Sequence, residues 1–345
     1  MMTYTLKVET IRNETSDTIT ICFKQPGLKK VKYMAGQYLT LIFRINGRRY
    51  IRPYSFSSAP SVDTGLEVTV KRVQNGIVSN HIHDFIRVGD SVQAISPMGD
   101  FLYNDIDQPG NQIFFWGVGS GVTPLISLIK QILSQPSDNK LVNLVYGNRN
   151  EESTIFSTLI EQLSLQYPER FKVWHFRTKL SVTERLPFLI QGRITKASVF
   201  NIMKDINAPH SVHYICGPFG LKESVKEVLY DLKVPASNIF SEDFELVKDP
   251  KDFEDIQTRT IHLKFENQEH ELEVIKGKSI LECALDAGIE LPYSCQTGNC
   301  NTCSAKLKAG GLRMIGLSKE REDLLDDEYL LCCSHPLTND VSLEV

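Results

Sequence analysis

Three cysteines, Cys295, Cys300 and Cys303, stand in a nine-residue stretch, separated by four and then two residues, and Cys332 follows 29 residues on. This spacing suits a [2Fe–2S] centre. Two irons and two bridging sulfides need four thiolates, and a tight loop supplies three of them from one side. Gly298, inside the loop, lets the backbone turn closely around an inorganic core. Zinc sites usually show two pairs with short internal spacing, which this segment lacks. Cys22, Cys216 and Cys283 are scattered, whereas Cys295, Cys300, Cys303, Cys332 and Cys333 crowd the carboxyl-terminal end, a placement that favours metal ligation over a disulfide framework.

Four further segments carry groups suited to nucleotides. Arg52-Pro53-Tyr54-Ser55 offers a guanidinium fork for a pyrophosphate, a ring to pack on an isoalloxazine and a hydroxyl for its polar edge. Gly76-Ile77-Val78-Ser79-Asn80 is a glycine turn opening a helix after Val70-Lys71-Arg72, a reasonable anion site. Gly117-Val118-Gly119-Ser120-Gly121-Val122-Thr123-Pro124 follows an apolar run and opens another helix, the context a phosphate-cradling loop needs. Cys216-Gly217-Pro218 ends a strand, where ligands of open α/β sheets collect, and Gly147-Asn148-Arg149 ends another.

The elements that must position these groups fall into three blocks, so the fold class is multi-domain. Residues 1–105 alternate (Leu6 with Val8, Ile19 with Ile21 and Phe23, Leu39 with Leu41 and Phe43, Leu66 with Val68 and Val70), which predicts short antiparallel strands closed into a barrel. Residues 106–246 interleave apolar strands (Ile113–Trp116, Leu141–Tyr146, Phe171–Phe176, Val212–Cys216) with helices over Thr154–Tyr167 and Leu221–Leu232, the signature of a parallel α/β sheet. Pro124 suits the first turn of the helix after the glycine-rich segment and Thr123 its cap. Residues 247–257 are acidic, contain Pro250 and lack periodicity, which reads as a linker. Residues 258–345 form a small α+β domain, with strands around Ile261 and Leu272 and a helix over Ser279–Ala287.

The 345 residues carry a formal net charge of −4, which argues against a nucleic-acid partner, and no apolar run is long enough to span a membrane. The opening MMTYTLKVET alternates without an apolar leader, so a cytoplasmic protein is expected.

These motifs, in this order, resemble the ferredoxin-NADP reductase superfamily with a carboxyl-terminal plant-type [2Fe–2S] ferredoxin domain, and the likeness covers essentially the whole chain. It implies an FAD-binding barrel, an NAD(P)-binding domain and a β-grasp ferredoxin domain. It implies that Arg52, Pro53, Tyr54, Ser55, Val70, Lys71, Gly76, Val78 and Ser79 hold FAD. Gly119, Ser120, Gly121, Thr123, Pro124, Arg149, Gly217 and Pro218 would hold the nicotinamide nucleotide, with Cys216 beside the nicotinamide as the catalytic residue. Arg177 would meet a 2′-phosphate, so NADPH is expected over NADH, and Phe244 would either approach the flavin or serve as a core residue. The family's proline four positions after its fourth ligand selects Cys332, since Pro336 lies four residues beyond it; Leu331 departs from the small polar residue usual before that ligand. Gly311-Leu312-Arg313-Met314 and Ser334-His335-Pro336-Leu337-Thr338 carry a finer likeness to the reductase components of phenylacetyl-CoA epoxidase and related aromatic or steroid oxygenases. The expected flow is from NAD(P)H to FAD, to the cluster, to a protein acceptor that is an oxygenase component. Alternatives are a different redox acceptor, or a redox carrier or sensor without catalysis, against which the intact Arg52-Tyr54-Ser55 and Cys216-Gly217-Pro218 segments argue.

Overall fold

The computed structural model describes residues 2–103, 110–135, 139–181 and 186–345. The expected boundary at 105/106 lies outside the described residues.

Six strands, β1 (Thr3–Thr15), β2 (Thr18–Lys24), β3 (Tyr38–Ile45), β4 (Arg48–Ser55), β5 (Leu66–Lys71) and β6 (Ser91–Met98), form one sheet in the order β4-β3-β6-β1-β2-β5. A bridge from Phe56 to Val68 joins the continuation of β4 to β5, so the sheet closes into a barrel. The alternation read from the sequence points Leu6, Val8, Ile21, Phe23, Leu39, Leu41, Val68 and Val70 inward, all buried. Helix α1 (Ile77–Phe85) lies between β5 and β6 in the chain. Asn46 and Gly47 join β3 to β4 with positive φ at both, the two-residue turn that matches strand twist.

The next block is a parallel sheet of β7 (Gln112–Val118), β8 (Leu141–Asn148), β9 (Phe171–Arg177), β10 (Leu189–Gln191), β11 (Ser211–Cys216) and β12 (Ile239–Glu242). Its order is β10-β9-β8-β7-β11-β12, and every pairing is parallel. One apolar layer lies under α2 (Val122–Leu133) and α3 (Ser157–Gln166). The other lies under α4 (Lys196–Met203) and α5 (Phe219–Asp231). Strand order reverses between β7 and β11, the switch point where open α/β sheets bind ligands. Two local expectations fail. Thr123 is not the cap of α2: Gly121 occupies that position without a side-chain bond, and the Thr123 hydroxyl donates to Ser120 O at 2.9 Å from inside the helix. Helix α3 starts three residues later than Thr154, because Asn150 and Ser153 cap a 3₁₀ turn over Glu151–Ser153 first.

The last block contains β13 (Arg259–Phe265), β14 (Gln268–Val274), α6 (Ile280–Asp286), β15 (Ser304–Ala309), β16 (Leu312–Met314), β17 (Glu328–Leu330), β18 (Ser334–Pro336) and β19 (Ser342–Glu344). The five-stranded sheet runs β14-β13-β19-β15-β17 with β13 parallel to β19, as in a β-grasp. Ser279 and Glu282 form a capping box that starts α6. The acidic stretch before this block is partly ordered by packing. Pro250–Phe253 forms a 3₁₀ turn, and Phe253 and Ile256 are buried against Ile315.

By contact density the chain divides into Met1–Leu41 with Tyr54–Glu242, and Ile42–Pro53 with Asp243–Val345. The second unit therefore includes the β3–β4 hairpin tip. There the Ile51 N–H donates to the Tyr293 hydroxyl at 3.0 Å, Arg48 pairs with Asp286 at 2.8 Å, and Arg49 donates to Glu290 O and Leu291 O at 3.2 and 3.3 Å.

Candidate cofactor and cluster sites

The loop after α6 bends sharply. Gln296 and Gly298 both have positive φ, and a Cβ on Gly298 would stand 2.2 Å from Leu317 Cδ2 and 3.8 Å from Cys333 Sγ. Cys295, Cys303 and, from the later segment, Cys332 are turned inward, at 4, 2 and 4 % exposure, while Cys300 is partly exposed. The thiols of Cys295 and Cys300 interact, as do those of Cys303 and Cys332, and the Cys300 thiol also donates to Thr302 Oγ1 at 3.5 Å. Charge on one pair is felt by the other, Cys295 by Cys332 and Cys303 by Cys300. In the first pair the shared bond favours one thiolate and one thiol: the bond from Cys295 takes Cys300 down to about 5, while Cys295 is pushed up by the same bond and by burial. Cys332 rises to about 12, because its stabilising bond from Cys303 is outweighed by the bond with Cys333 and by burial. Among the described residues no three His, Cys, Asp or Glu side chains close to metal-binding distance. Four thiols on one bent loop and one neighbouring strand connection are nevertheless the donor set that two irons need. Cys333 is fully buried, with its thiol donating to Leu330 O at 3.3 Å.

The nucleotide segments converge at the β7/β11 switch point. Cys216 lies in register with Gly117 on one side and Glu242 on the other. A Cβ on Gly121 would fall 2.1 Å from Cys216 O and 2.9 Å from Gly217 N, so only glycine allows this approach. Gly119 has φ 54° and open space around its Cα, leaving its turn accessible, and the Tyr146 hydroxyl steadies it by donating to Gly119 O at 3.1 Å. Asn148, 8 % exposed at the end of β8, has an Nδ2 with no hydrogen-bond partner among the described residues, a donor suited to a nucleotide. The Cys216 thiol itself is 1 % exposed, within the apolar layer.

Two results at this site depart from sequence expectation. Ser55 Oγ donates to Glu242 Oε2 at 3.5 Å, bringing the flavin segment to the end of β12. The sequence gives Glu242 no signal beyond its place at a strand end, and the same holds for Tyr146. Arg177, expected to meet a 2′-phosphate, is 1 % exposed and donates to Phe176 O at 3.4 Å. The exposed cations beside it are Arg149 and Lys179, whose strand ends are tied by Lys179 N–H to Arg149 O at 2.7 Å.

On the barrel, Tyr54 is half-buried and Ser55 buried, with Pro53 half-buried between Arg52 and Tyr54. Arg52 turns one Nη back to Ile51 O at 2.7 Å. Ser79, one turn into α1 beside the buried Val78, accepts the Val73 N–H at 3.1 Å and so shapes the Gly76 turn. A Cβ on Gly76 would meet Ser79 Oγ at 2.6 Å. Val70 is buried, and Lys71 pairs with Asp17 at 3.4 Å. Phe244 is 47 % exposed and is not a core residue. Ser120 and Pro124 flank Gly121 and Val122 at the start of α2, and Pro218 caps α5.

Barrel, parallel sheet and β-grasp domain, with these loops, define an NAD(P)H-dependent oxidoreductase of the ferredoxin-reductase type. Sequence models match in the same order: the oxidoreductase FAD-binding domain over residues 5–103, the oxidoreductase NAD-binding domain over 115–227, and the 2Fe-2S iron-sulfur cluster binding domain over 263–338. The ferredoxin reductase component of 3-ketosteroid-9-alpha-monooxygenase from Rhodococcus rhodochrous is 32 % identical over 98 % of this chain and 96 % of its own. A component of 1,2-phenylacetyl-CoA epoxidase from Escherichia coli (strain K12) is 28 % identical over 99 % of this chain and 97 % of its own. Phthalate dioxygenase reductase shares the fold, with a TM-score of 0.68 at 22 % identity over 99 % of this chain and 98 % of that one. The chain belongs to the ferredoxin-NADP reductase superfamily, among the oxygenase reductase components that carry FAD-, NAD- and [2Fe–2S]-binding domains. Among the described residues no helix is long and apolar enough to cross a membrane.

Proposed function

We propose that the chain takes hydride from NADPH and delivers single electrons to the oxygenase of a multicomponent system of the phenylacetyl-CoA epoxidase or steroid hydroxylase kind. The observation that carries this reading is the gathering of Cys295, Cys300, Cys303 and Cys332 in a chain that also holds a switch-point nucleotide loop. FAD, when bound, accepts hydride and releases electrons singly, and a [2Fe–2S] centre carries them one at a time.

The residues of this chain bind and orient. Arg52, Tyr54 and Ser55 hold the flavin, with the turn Gly76–Ser79 at its pyrophosphate. Gly119, Gly121 and Gly217 admit the nucleotide backbone, and Cys216 and Glu242 border the nicotinamide. Arg149 and Lys179 supply charge for a 2′-phosphate. Functional domains of 1–105, 106–246 and 258–345, joined through 247–257, fit this division of labour. The eight cysteines, all free of disulfides, suit the reducing cytoplasm. The acidic residues Glu320, Glu322, Asp323, Asp326, Asp327 and Glu328 precede Cys332 and suit a basic acceptor surface.

The test is reconstitution with the oxygenase that co-purifies from the native cells. NADPH-dependent product formation is expected to require the reductase and to slow as salt rises. NADPH-driven electron transfer that is as fast to an unrelated acceptor as to the oxygenase would overturn the partner assignment.

A further inference from the structure

The acidic stretch before Cys332 contains a cation that solvent barely reaches. Only 7 % of the Arg321 side chain is exposed. Its Nε and Nη2 form a fork on Asp323 Oδ1 and Oδ2, both at 2.7 Å. Nη1 donates to Gly298 O and Nη2 also to Asn301 Oδ1, while Asn301 Nδ2 donates to Asp323 Oδ2 at 3.2 Å. Gly298 and Asn301 flank Cys300 in the bent loop, so one guanidinium ties the loop on both sides of its most exposed thiol. Its charge interacts with Cys295 and Cys300.

We propose that Arg321 is a positioning residue for the [2Fe–2S] loop and that its fixed positive charge raises the reduction potential of the centre. The proposal rests on the assignment of the four cysteines as cluster ligands. Reduction adds one negative charge to the centre, and a cation shielded from water favours the reduced form. Asp323 offsets part of that charge at longer range and holds the fork in its plane. The two roles separate chemically: loop fixation needs the fork, whereas the potential needs only the charge.

The experiment uses the full-length holoprotein and reads the cluster potential by spectroelectrochemical titration, together with iron release to a chelator. Arg321→Met is expected to shift the reduced-to-oxidised ratio at a fixed poise about tenfold toward oxidised, which is 59 mV for a one-electron couple, and to release iron faster. Arg321→Lys is expected to restore the potential but not the iron retention. Asp323→Asn is expected to raise the potential. An unchanged potential in Arg321→Met with a loaded cluster overturns the proposal; should that variant fail to hold iron, an unchanged potential in Asp323→Asn overturns it. Cluster absorption that survives substitution of the assigned cysteines would remove the ligand assignment itself, whereas a loaded cluster with an unshifted potential in Arg321→Met overturns only the role of Arg321.

Discussion

The proposed cluster loop and the proposed hydride site are built in opposite ways. The loop draws three of its four thiols from nine consecutive residues, and its bend is imposed locally by Gln296 and Gly298. The proposed hydride site is assembled from strand ends distant in the chain: Ser55 on the barrel, Gly121 after β7, Cys216 on β11 and Glu242 on β12. A local site stands or falls with its own residues, whereas an assembled one depends on sheet register and on close backbone approach.

The sharpest way to break this comparison is at the loop. Cys332→Ser is expected to abolish iron binding and visible cluster absorption, while Cys333→Ser, whose thiol faces Leu330 O, keeps both; iron analysis of the two purified variants decides, and the reverse pattern would move the fourth ligand. The assembled site should be vulnerable through its backbone. Gly121→Val forces Cys216 O away from a position 2.1 Å from the new Cβ. It should slow NADPH-driven flavin reduction roughly 100-fold, since small misplacements at a reacting centre cost that much, without altering the cluster spectrum. Stopped-flow reduction at wild-type rate would show that the close approach is incidental. A smaller effect is expected at Glu242→Gln, about tenfold on the same step, matched by Ser55→Ala and not additive with it if the pair acts as one unit. Smallest is nucleotide choice. Arg149→Ala with Lys179→Ala should lower the NADPH-to-NADH ratio of kcat/KM several-fold, about 1 kcal/mol as for an exposed ion pair. Arg177→Ala should chiefly lower Tm, because it removes a buried guanidinium; a large change in nucleotide preference from Arg177→Ala alone would return the 2′-phosphate to that residue.

How much was legible in the sequence follows the same divide. Inward alternation of the barrel strands and the apolar strand runs are local patterns, and the structure keeps them; the thiol spacing is equally local and puts three thiols on one bent loop. Thr123 failed as a cap because a backbone turn at Gly119–Gly121 already started the helix. Phe253 and Ile256 gave no periodic signal, since two apolar residues suffice to pin a short turn to Ile315. Glu242 and Tyr146 act through neighbours remote in the chain, and burial of Arg177 is a property of the packed sheet. Nothing adjacent to these residues announces their positions.

The hairpin tip Ile42–Pro53 has a further consequence for anyone building chimaeras. A splice made within 247–257 looks natural along the chain, yet it would strand the Ile51 amide without Tyr293 and leave Arg48 and Arg49 without Asp286, Glu290 and Leu291. A transplanted ferredoxin domain must bring a matching hairpin with it, so the heritable module is discontinuous: one carboxyl-terminal segment plus twelve residues of another domain's strand pair.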